Sequence, residues 1–388
     1  MDKIINLKTF VIDQKYITQH NNLINTDIYE NLIYLKNKIN KLNDNKIWDK
    51  AKKLSNEYEL IYLPNKKNKK NSIAHYEPLS RSYFKMWEIL HDFNLFQSKN
   101  KLNILCLAEG PGGFIEAINN YRRNLNIIDN IQGITLKSTN KDIPGWKKSK
   151  IFLNKYNNIQ ITYGRDDTGN LYNVDNIKYL SILNPDKYSF ITADGGFDFS
   201  LDFNNQEKLS YKIIFCEIVS AFYNQKIEGN FVCKIYDIYT IITVKMLYLL
   251  MLHYEDVYII KPLTSRPANS EKYIICKNFI GIDTQLMNKL LSYISNWNDC
   301  NKDFLDCNKD FLDFINVPID FITRIKQYNE YITAKQINNI KKTLHVINTE
   351  ENLSNIEKIN KFQIKKAISW CTKYNVSINN NSEFISNM

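Results

Sequence analysis

Histidine is scarce in this chain, and its cysteines lack the spacing of a metal site. His20, His75, His91, His253 and His345 stand far apart with no H-E-x-x-H or other ligand pattern, and no C-x-x-C occurs. A zinc or other metal site therefore has no support. The seven cysteines are odd in number, and Cys106, Cys216, Cys233 and Cys276 lie inside apolar segments, as expected for reduced, buried thiols of an intracellular protein. Long hydrophobic runs are also missing. The most apolar helical stretch, Ile241 to Leu252, is interrupted by Lys245 and falls short of the roughly 20 residues needed to cross a bilayer. Met1 to Phe10 mixes charged and polar residues with isolated isoleucines, so neither a secretory signal nor a membrane partner is expected, and the protein should be soluble.

Acidic residues are outnumbered, 41 against 51 basic ones, which leaves a net charge of +10. That excess favours a polyanionic partner such as nucleic acid, although a lysine-rich solvated surface gives the same figure. At 388 residues, 44% hydrophobic and 13% aromatic, the chain has ample core material for one large domain with appendages, or for two domains.

Ile28, Leu32, Leu35, Ile39 and Leu42 recur at spacings of four and three, predicting a packed helix that begins near Thr26 or Asp27. A second helical stretch around Trp48 to Tyr58 leads to a basic loop with Lys66, Lys67, Lys69 and Lys70. From Leu102 to about Asn278 short β-type runs ("NILCLA", "NIQGITL", "YSFITAD", "NFVCKIY", "DVYIIKP", "KYIIC") alternate with helix-length segments. This pattern predicts an α/β doubly wound domain with a mainly parallel sheet. Beyond Asn278 the reading is helical, with an exact duplication of "DCNKDFL" at 299 to 305 and 306 to 312 that is too short for a solenoid. The tail "NNNSEFISNM" is expected to be disordered.

The stretch "CLAEGPGGFIEAI", Cys106 to Ile118, reads as a strand, a glycine turn and a helix N-terminus. Gly110, Gly112 and Gly113 permit a sharp turn and close approach of a ligand. Dinucleotide and S-adenosylmethionine sites both use such turns, and the spacing here is not G-x-G-x-x-G. Ligands of an open α/β sheet bind outside the carboxyl ends of the parallel strands. Asp194 in "FITADGGFD" closes one such strand, and Lys234 in "FVCKIYD" lies toward the end of the next. The strands near Asp256 to Lys261 and Lys272 to Cys276 are joined by about ten residues, too few for a parallel crossover, so they must be antiparallel. Glu271, in "PLTSRPANSEKYIIC", is thereby delivered to the edge that holds Asp194 and Lys234. In "LSRSYFKMWEIL", Tyr83, Met86, Trp87 and Leu90 form an apolar helix face, which leaves Arg81, Lys85 and Glu88 off that face.

The ordered set Lys85, Asp194, Lys234, Glu271 resembles the K-D-K-E tetrad of FtsJ/RrmJ-type RNA ribose 2′-O-methyltransferases. Within that superfamily the resemblance is closest to the mRNA cap-specific (nucleoside-2′-O-)-methyltransferases, through "SRSYFKMWEI", "AEGPGGF", "GITLK", "DDTGN", "TADGGFDF", "FVCKIYD" and "KPLTSRPANSEKYIICK". It implies a Rossmann-like methyltransferase sheet, mostly parallel with an antiparallel last strand, over residues 76–279. A helical extension, 1–75, would precede it, and another with the tail, 280–388, would follow. It implies S-adenosyl-L-methionine as cofactor, held by Glu109, Gly110, Pro111, Gly112, Gly113, Phe114 and Asp194. The second strand, "QGITLKS", ends without the usual acidic residue for the cofactor ribose, so contacts to adenosine pass to Asp166 or Asp167 in "GRDDTGN".

The implied substrate is the single-stranded 5′ end of capped mRNA, with other capping or transcription proteins as further partners. Lys234 would be the general base, Lys85 would orient the 2′-hydroxyl, and Asp194 and Glu271 would hold the lysine heads. A second cation nearby and partial burial would make the neutral lysine accessible. RNA contacts are expected from Arg81, Trp146, Lys147, Lys148, Arg165 and Arg266, with Trp146 equally readable as a packing residue. A ribosomal or transfer RNA 2′-O-methyltransferase, and an inactive RNA-binding subunit of a capping complex, are the competing readings. Heavy use of asparagine, isoleucine and lysine fits an AT-rich genome such as that of a large DNA virus. The expected location is then the cytoplasm (virus factory or virion) if viral and the nucleus if cellular.

Overall fold

The computed structural model describes residues 5–7, 24–40, 42, 45–64, 71–96, 99–140, 143–196, 204–299, 311–349 and 353–386. The basic loop with Lys66, Lys67, Lys69 and Lys70, and most of the duplicated heptapeptide, lie outside the described residues.

One sheet organises the fold. Its strands are β1 (Ile5–Asn6), β2 (Asn103–Leu107), β3 (Asn130–Ile134), β4 (Ile159–Thr162), β5 (Tyr188–Ala193), β6 (Gln225–Ile235), β7 (Tyr254–Ile260) and β8 (Lys272–Phe279), in spatial order β1-β7-β8-β6-β5-β2-β3-β4. Strands β2 to β6 pair in parallel, and β8 runs antiparallel to both β6 and β7. The short connection between β7 and β8 thus acts as the sequence required. Edge strand β1, antiparallel to β7, has no periodic signal because it is two residues long.

Helices α1 (Thr26–Asn40) and α2 (Asn45–Leu54) precede the central strands. Helices α3 (Ser82–Phe93), α4 (Gly113–Asn124), α5 (Lys150–Lys155), α6 (Val174–Leu183), α7 (Gln206–Asn224) and α8 (Ile241–His253) are interleaved with them. Helices α9 (Thr284–Ser295), α10 (Ile319–Thr349), α11 (Leu353–Lys373) and α12 (Glu383–Ser386) follow. The side-chain alternation of a strand divides β2 between two cores. Ile104 and Cys106 pack with Phe84 and Trp87 of α3 and Phe114 and Ile118 of α4, whereas Leu105 and Leu107 pack with Phe215 of α7 and Leu247 of α8. Both faces are buried, which is why "ILCL" is a continuous apolar run. The five described cysteines, including Cys371, are buried and free.

Both extensions are built into the domain. The predicted face of α1 packs through Leu32, Leu35 and Ile39 against Trp48, Tyr239 and Ile340. Lys36 forms a buried ion pair of 2.9 Å with Asp237, just beyond β6. At the other end, Trp370 Nε1 of α11 donates to Glu88 Oε2 (3.1 Å), and Trp87 Nε1 donates to the Tyr374 carbonyl (3.0 Å).

One reading is extended and one expectation is corrected. Glu88 lies off the first apolar face of α3 but is only 2% exposed, because α11 and the loop after β7 cover that second side. Its carboxylate accepts from Leu263 N and Thr264 N, and burial pushes its pKa up to about 7. The tail is ordered through Ser386: Ala74 bridges Ile378, Asn379 Nδ2 donates to the Ser72 carbonyl, and Ser382 Oγ donates to the Asn71 carbonyl. Its polarity predicted disorder, but its side chains complete the hydrogen bonding of the segment just before α3.

Candidate active site

The carboxyl ends of the parallel strands gather charged residues on one edge. Asp194 directly follows β5, Lys234 is the penultimate residue of β6, and Glu271 directly precedes the antiparallel β8. Lys234 Nζ lies 3.1 Å from Asp194 Oδ1 and donates to the Asp194 carbonyl at 2.8 Å. From α3, Lys85 Nζ reaches Glu271 Oε1 at 2.7 Å and Oε2 at 2.8 Å. Hydroxyls complete both pairs: Tyr273 donates to Asp194 Oδ1 (3.3 Å), and Ser265 donates to Glu271 Oε1 (2.8 Å). The four charged side chains remain 11 to 17% exposed, so they are largely desolvated yet open at one side.

Electrostatics differ between the pairs. Burial alone would push the Glu271 carboxyl up, but Lys85 and then Lys234 pull it down to about 2, so it is firmly ionised. Burial likewise lowers Lys234, yet Asp194, Tyr236 and Glu271 outweigh it and hold the ammonium well above the ordinary lysine range. This runs against the expected mutual lowering by two lysines: Lys85 is engaged by Glu271, and the carboxylates dominate the field at Lys234.

Beside the tetrad, β2 turns into α4 through Ala108–Gly113. Glu109 Oε1 accepts from Phe114 N at 2.7 Å, capping α4, while its buried Oε2 has no partner among the described residues. Burial and then Asp194 push its pKa well up. The glycines serve close packing of the protein on itself. A Cβ on Gly110 would sit 2.6 Å from the Pro144 carbonyl oxygen, and Gly112 has a φ of +104°.

Other expected site residues fall into distinct places. The carboxylate of Asp166 accepts from Thr168 N, Thr168 Oγ, Asn173 Nδ2 and Asn176 Nδ2, so its oxygens organise their own loop. Asp167 pairs with Lys137 of "GITLK", both exposed. Trp146 is 8% exposed and packs toward Gly112 and Gly133, so its ring serves the core. The Arg81 and Arg266 guanidiniums converge on buried Glu59, at 3.3 Å and 2.8 Å, and Arg81 Nε also donates to the Thr264 carbonyl at 3.2 Å. These two arginines therefore have an internal carboxylate partner that sequence spacing did not reveal. Lys147, Lys148 and Arg165 are exposed after β3 and β4, on the edge of the tetrad.

Sequence reasoning passed over Glu217 of α7. It is fully buried, accepts from Gly195 N at 2.9 Å, and lies 3.7 Å from Cys233 Sγ. Its signal was a single acid in the apolar run "FCEIVSAF". Burial, only partly offset by Lys234, pushes its pKa up to about 8.

The chain is similar in sequence to several known proteins. The cap-specific mRNA (nucleoside-2′-O-)-methyltransferase 1 of Dictyostelium discoideum is 33% identical over 244 residues, covering 60% of this chain and 32% of that protein. The cap-specific mRNA (nucleoside-2′-O-)-methyltransferase 2 of Drosophila melanogaster is 30% identical over 220 residues, covering 51% of this chain and 29% of that protein. The chain thus spans about a third of the length of these curated relatives. Among solved structures, a Plasmodium falciparum protein described as a ribosomal RNA methyltransferase is similar with 23% identity and a TM-score of 0.37, covering 52% of this chain and 99% of that one. Residues 78–279, more than half of the chain, match the FtsJ-like methyltransferase family, and the chain belongs to that family.

Proposed function

We propose that the chain is an S-adenosylmethionine-dependent mRNA cap 2′-O-methyltransferase, acting on the ribose of the first transcribed nucleotides of capped RNA. One observation carries the reading. Lys234–Asp194 and Lys85–Glu271, drawn from four distant segments, form two ion pairs on one sheet edge beside the β2–α4 turn. The names of the curated relatives support capped RNA as the substrate class.

The turn fits the donor: Glu109 presents a buried oxygen there that has no partner among the described residues, and the backbone of Gly110 to Phe114 leads into a helix N-terminus. When bound, S-adenosylmethionine supplies an electrophilic methyl group on a sulfonium centre. A ribose hydroxyl is a weak nucleophile until its proton leaves, so the chain must hold the oxygen in place and accept that proton. Lys234 is the base in this scheme and Lys85 the orienting donor, each fixed by its carboxylate. Lys234 must first shed the proton that Asp194 holds on it. A cofactor held beside Asp194 would supply positive charge that offsets that field. Lys147, Lys148 and Arg165, all exposed, would meet the RNA backbone at the rim in this reading.

The test is mass spectrometry of 7-methylguanosine-capped and uncapped oligonucleotides after incubation with the protein and donor, with the methyl group located by nucleotide and by atom. Methylation of 2′-oxygen on capped RNA alone is the expected result. Equal methylation of uncapped RNA would move the reading to another RNA ribose methyltransferase.

A further inference from the structure

The peptide group that follows Asp194 is held at both ends. Its carbonyl, that of Asp194, accepts from Lys234 Nζ at 2.8 Å, and its N–H, that of Gly195, donates to Glu217 Oε1 at 2.9 Å. A peptide group is planar, and in the trans form its carbonyl and N–H point to opposite sides. Lys234 and Glu217 therefore grip one rigid plate from opposite edges, and its tilt is common to both bonds.

The second oxygen of Glu217 faces the neighbouring strand. Oε2 lies 3.7 Å from the Sγ of Cys233, the residue before Lys234. One carboxyl of α7 thus meets the residue after Asp194 and the residue before Lys234. Alternation along β6 turns Cys233 toward α7 and Lys234 to the other face, so the route from Glu217 to the lysine head runs through the backbone.

The fit is close. Gly195 is buried, and a Cβ there would stand 2.1 Å from Glu217 Oε1. An N–H in such a place has no water to turn to when its acceptor is lost, so the plate would rotate toward another partner and carry the carbonyl with it. Donation to Glu217 also polarises the peptide, which makes the carbonyl oxygen at its other end a stronger acceptor for the ammonium. Packing alone does not ask for an acid here, since Cys216, Ile218 and Val219 beside it are fully buried in the apolar core.

We propose that Glu217 is a positioning residue for methyl transfer, setting the tilt of the Asp194–Gly195 peptide and through it the place of the Lys234 ammonium. That role presupposes the reading of Lys234 and Asp194 as the working pair given above.

The experiment compares the full chain with Glu217→Leu, which removes the acceptor, and with Glu217→Gln, which keeps one. Steady-state kinetics on an RNA that the wild type methylates give kcat and KM. Hydrogen exchange of the peptide spanning Ala193 to Gly196 reports on the amide without methyl transfer. Expected for Glu217→Leu is a kcat about 10- to 100-fold lower with KM for donor and RNA unchanged, the mark of a misplaced group rather than of lost binding. The Gly195 amide should exchange faster in it by about 10-fold or more. Glu217→Gln should restore both. A folded Glu217→Leu with wild-type kcat, or with wild-type exchange, overturns the proposal. A kcat loss that Glu217→Gln shares overturns it as well, since the acceptor would then not be what matters. Gly195→Ala strikes the same contact from the strand side and carries the test where Glu217→Leu does not fold: its kcat should fall at unchanged KM, and wild-type kcat overturns the proposal. Wild-type turnover in Glu217→Leu beside an inactive Lys234→Ala removes the role of Glu217 alone, whereas wild-type turnover in Lys234→Ala removes the base and this role with it.

Discussion

Lys234 contacts Asp194 twice, through the carboxylate at 3.1 Å and through the backbone carbonyl at 2.8 Å. The lysine head is therefore located by a side chain and by the strand end itself. Losing the carboxylate alone would leave one anchor in place. Asp194→Asn should accordingly keep the fold, yet lose the charge that governs the Lys234 proton.

Removing either lysine should nearly abolish methyl transfer. Lys234→Ala and Lys85→Ala are each expected to reduce turnover by about 10² or more, the usual weight of a positioned base or a preorganised donor. Circular dichroism should show both variants folded. Wild-type turnover in folded Lys234→Ala would remove the base from the scheme.

Gly196 offers a subtler probe. A Cβ there would stand 2.5 Å from Tyr236 Oη and 3.1 Å from Lys234 Nζ. Gly196→Ala should displace the lysine head and lower kcat by up to about 100-fold, with little change in melting temperature. An unaltered kcat would show that the lysine head has room to spare.

Glu217 predicts a pH signature. Its carboxyl is raised from 4.5 to about 8, so the unfolded chain releases this proton first. The group's contribution to stability is complete below about pH 4.5 and is lost as pH rises through about 8. Glu217→Gln keeps an oxygen for Gly195 N and removes the titration. Its melting temperature should gain on wild type between pH 5 and 8, and parallel profiles would contradict the assignment.

Glu59 pairs with two guanidiniums at once. Glu59→Gln leaves Arg81 and Arg266 without their carboxylate and should cost on the order of 3 kcal/mol. Differential scanning calorimetry would show this as a drop of several degrees. A variant as stable as wild type would mean that solvent replaces the pairing at no cost.

The sheet edge was legible in the sequence because strand length, strand ends and one short connection are local facts. A loop of about ten residues settles that β7 and β8 are antiparallel, which in turn delivers Glu271 to Lys85 and Lys234. What stayed hidden depends on which distant segment covers which surface. Glu88 reads only as lying off the apolar face until α11 covers it, and the internal partner of Arg81 and Arg266 appears only when Glu59 arrives from the N-terminal extension. Trp146 had two readings because an aromatic residue beside lysines suits both stacking and packing; the close approach of Gly112 and Gly133 decides for packing. Glu217 needed the fold, since an isolated acid in an apolar helix gives no hint of what it faces.

The bonds from Glu88 to Trp370 and from Trp87 to the Tyr374 carbonyl have a consequence for biosynthesis. The helix bearing Lys85 is braced by residues translated almost three hundred positions later. A nascent chain halted before Tyr374 has left the ribosome would carry all four tetrad residues and still lack the brace that sets the angle of their first member.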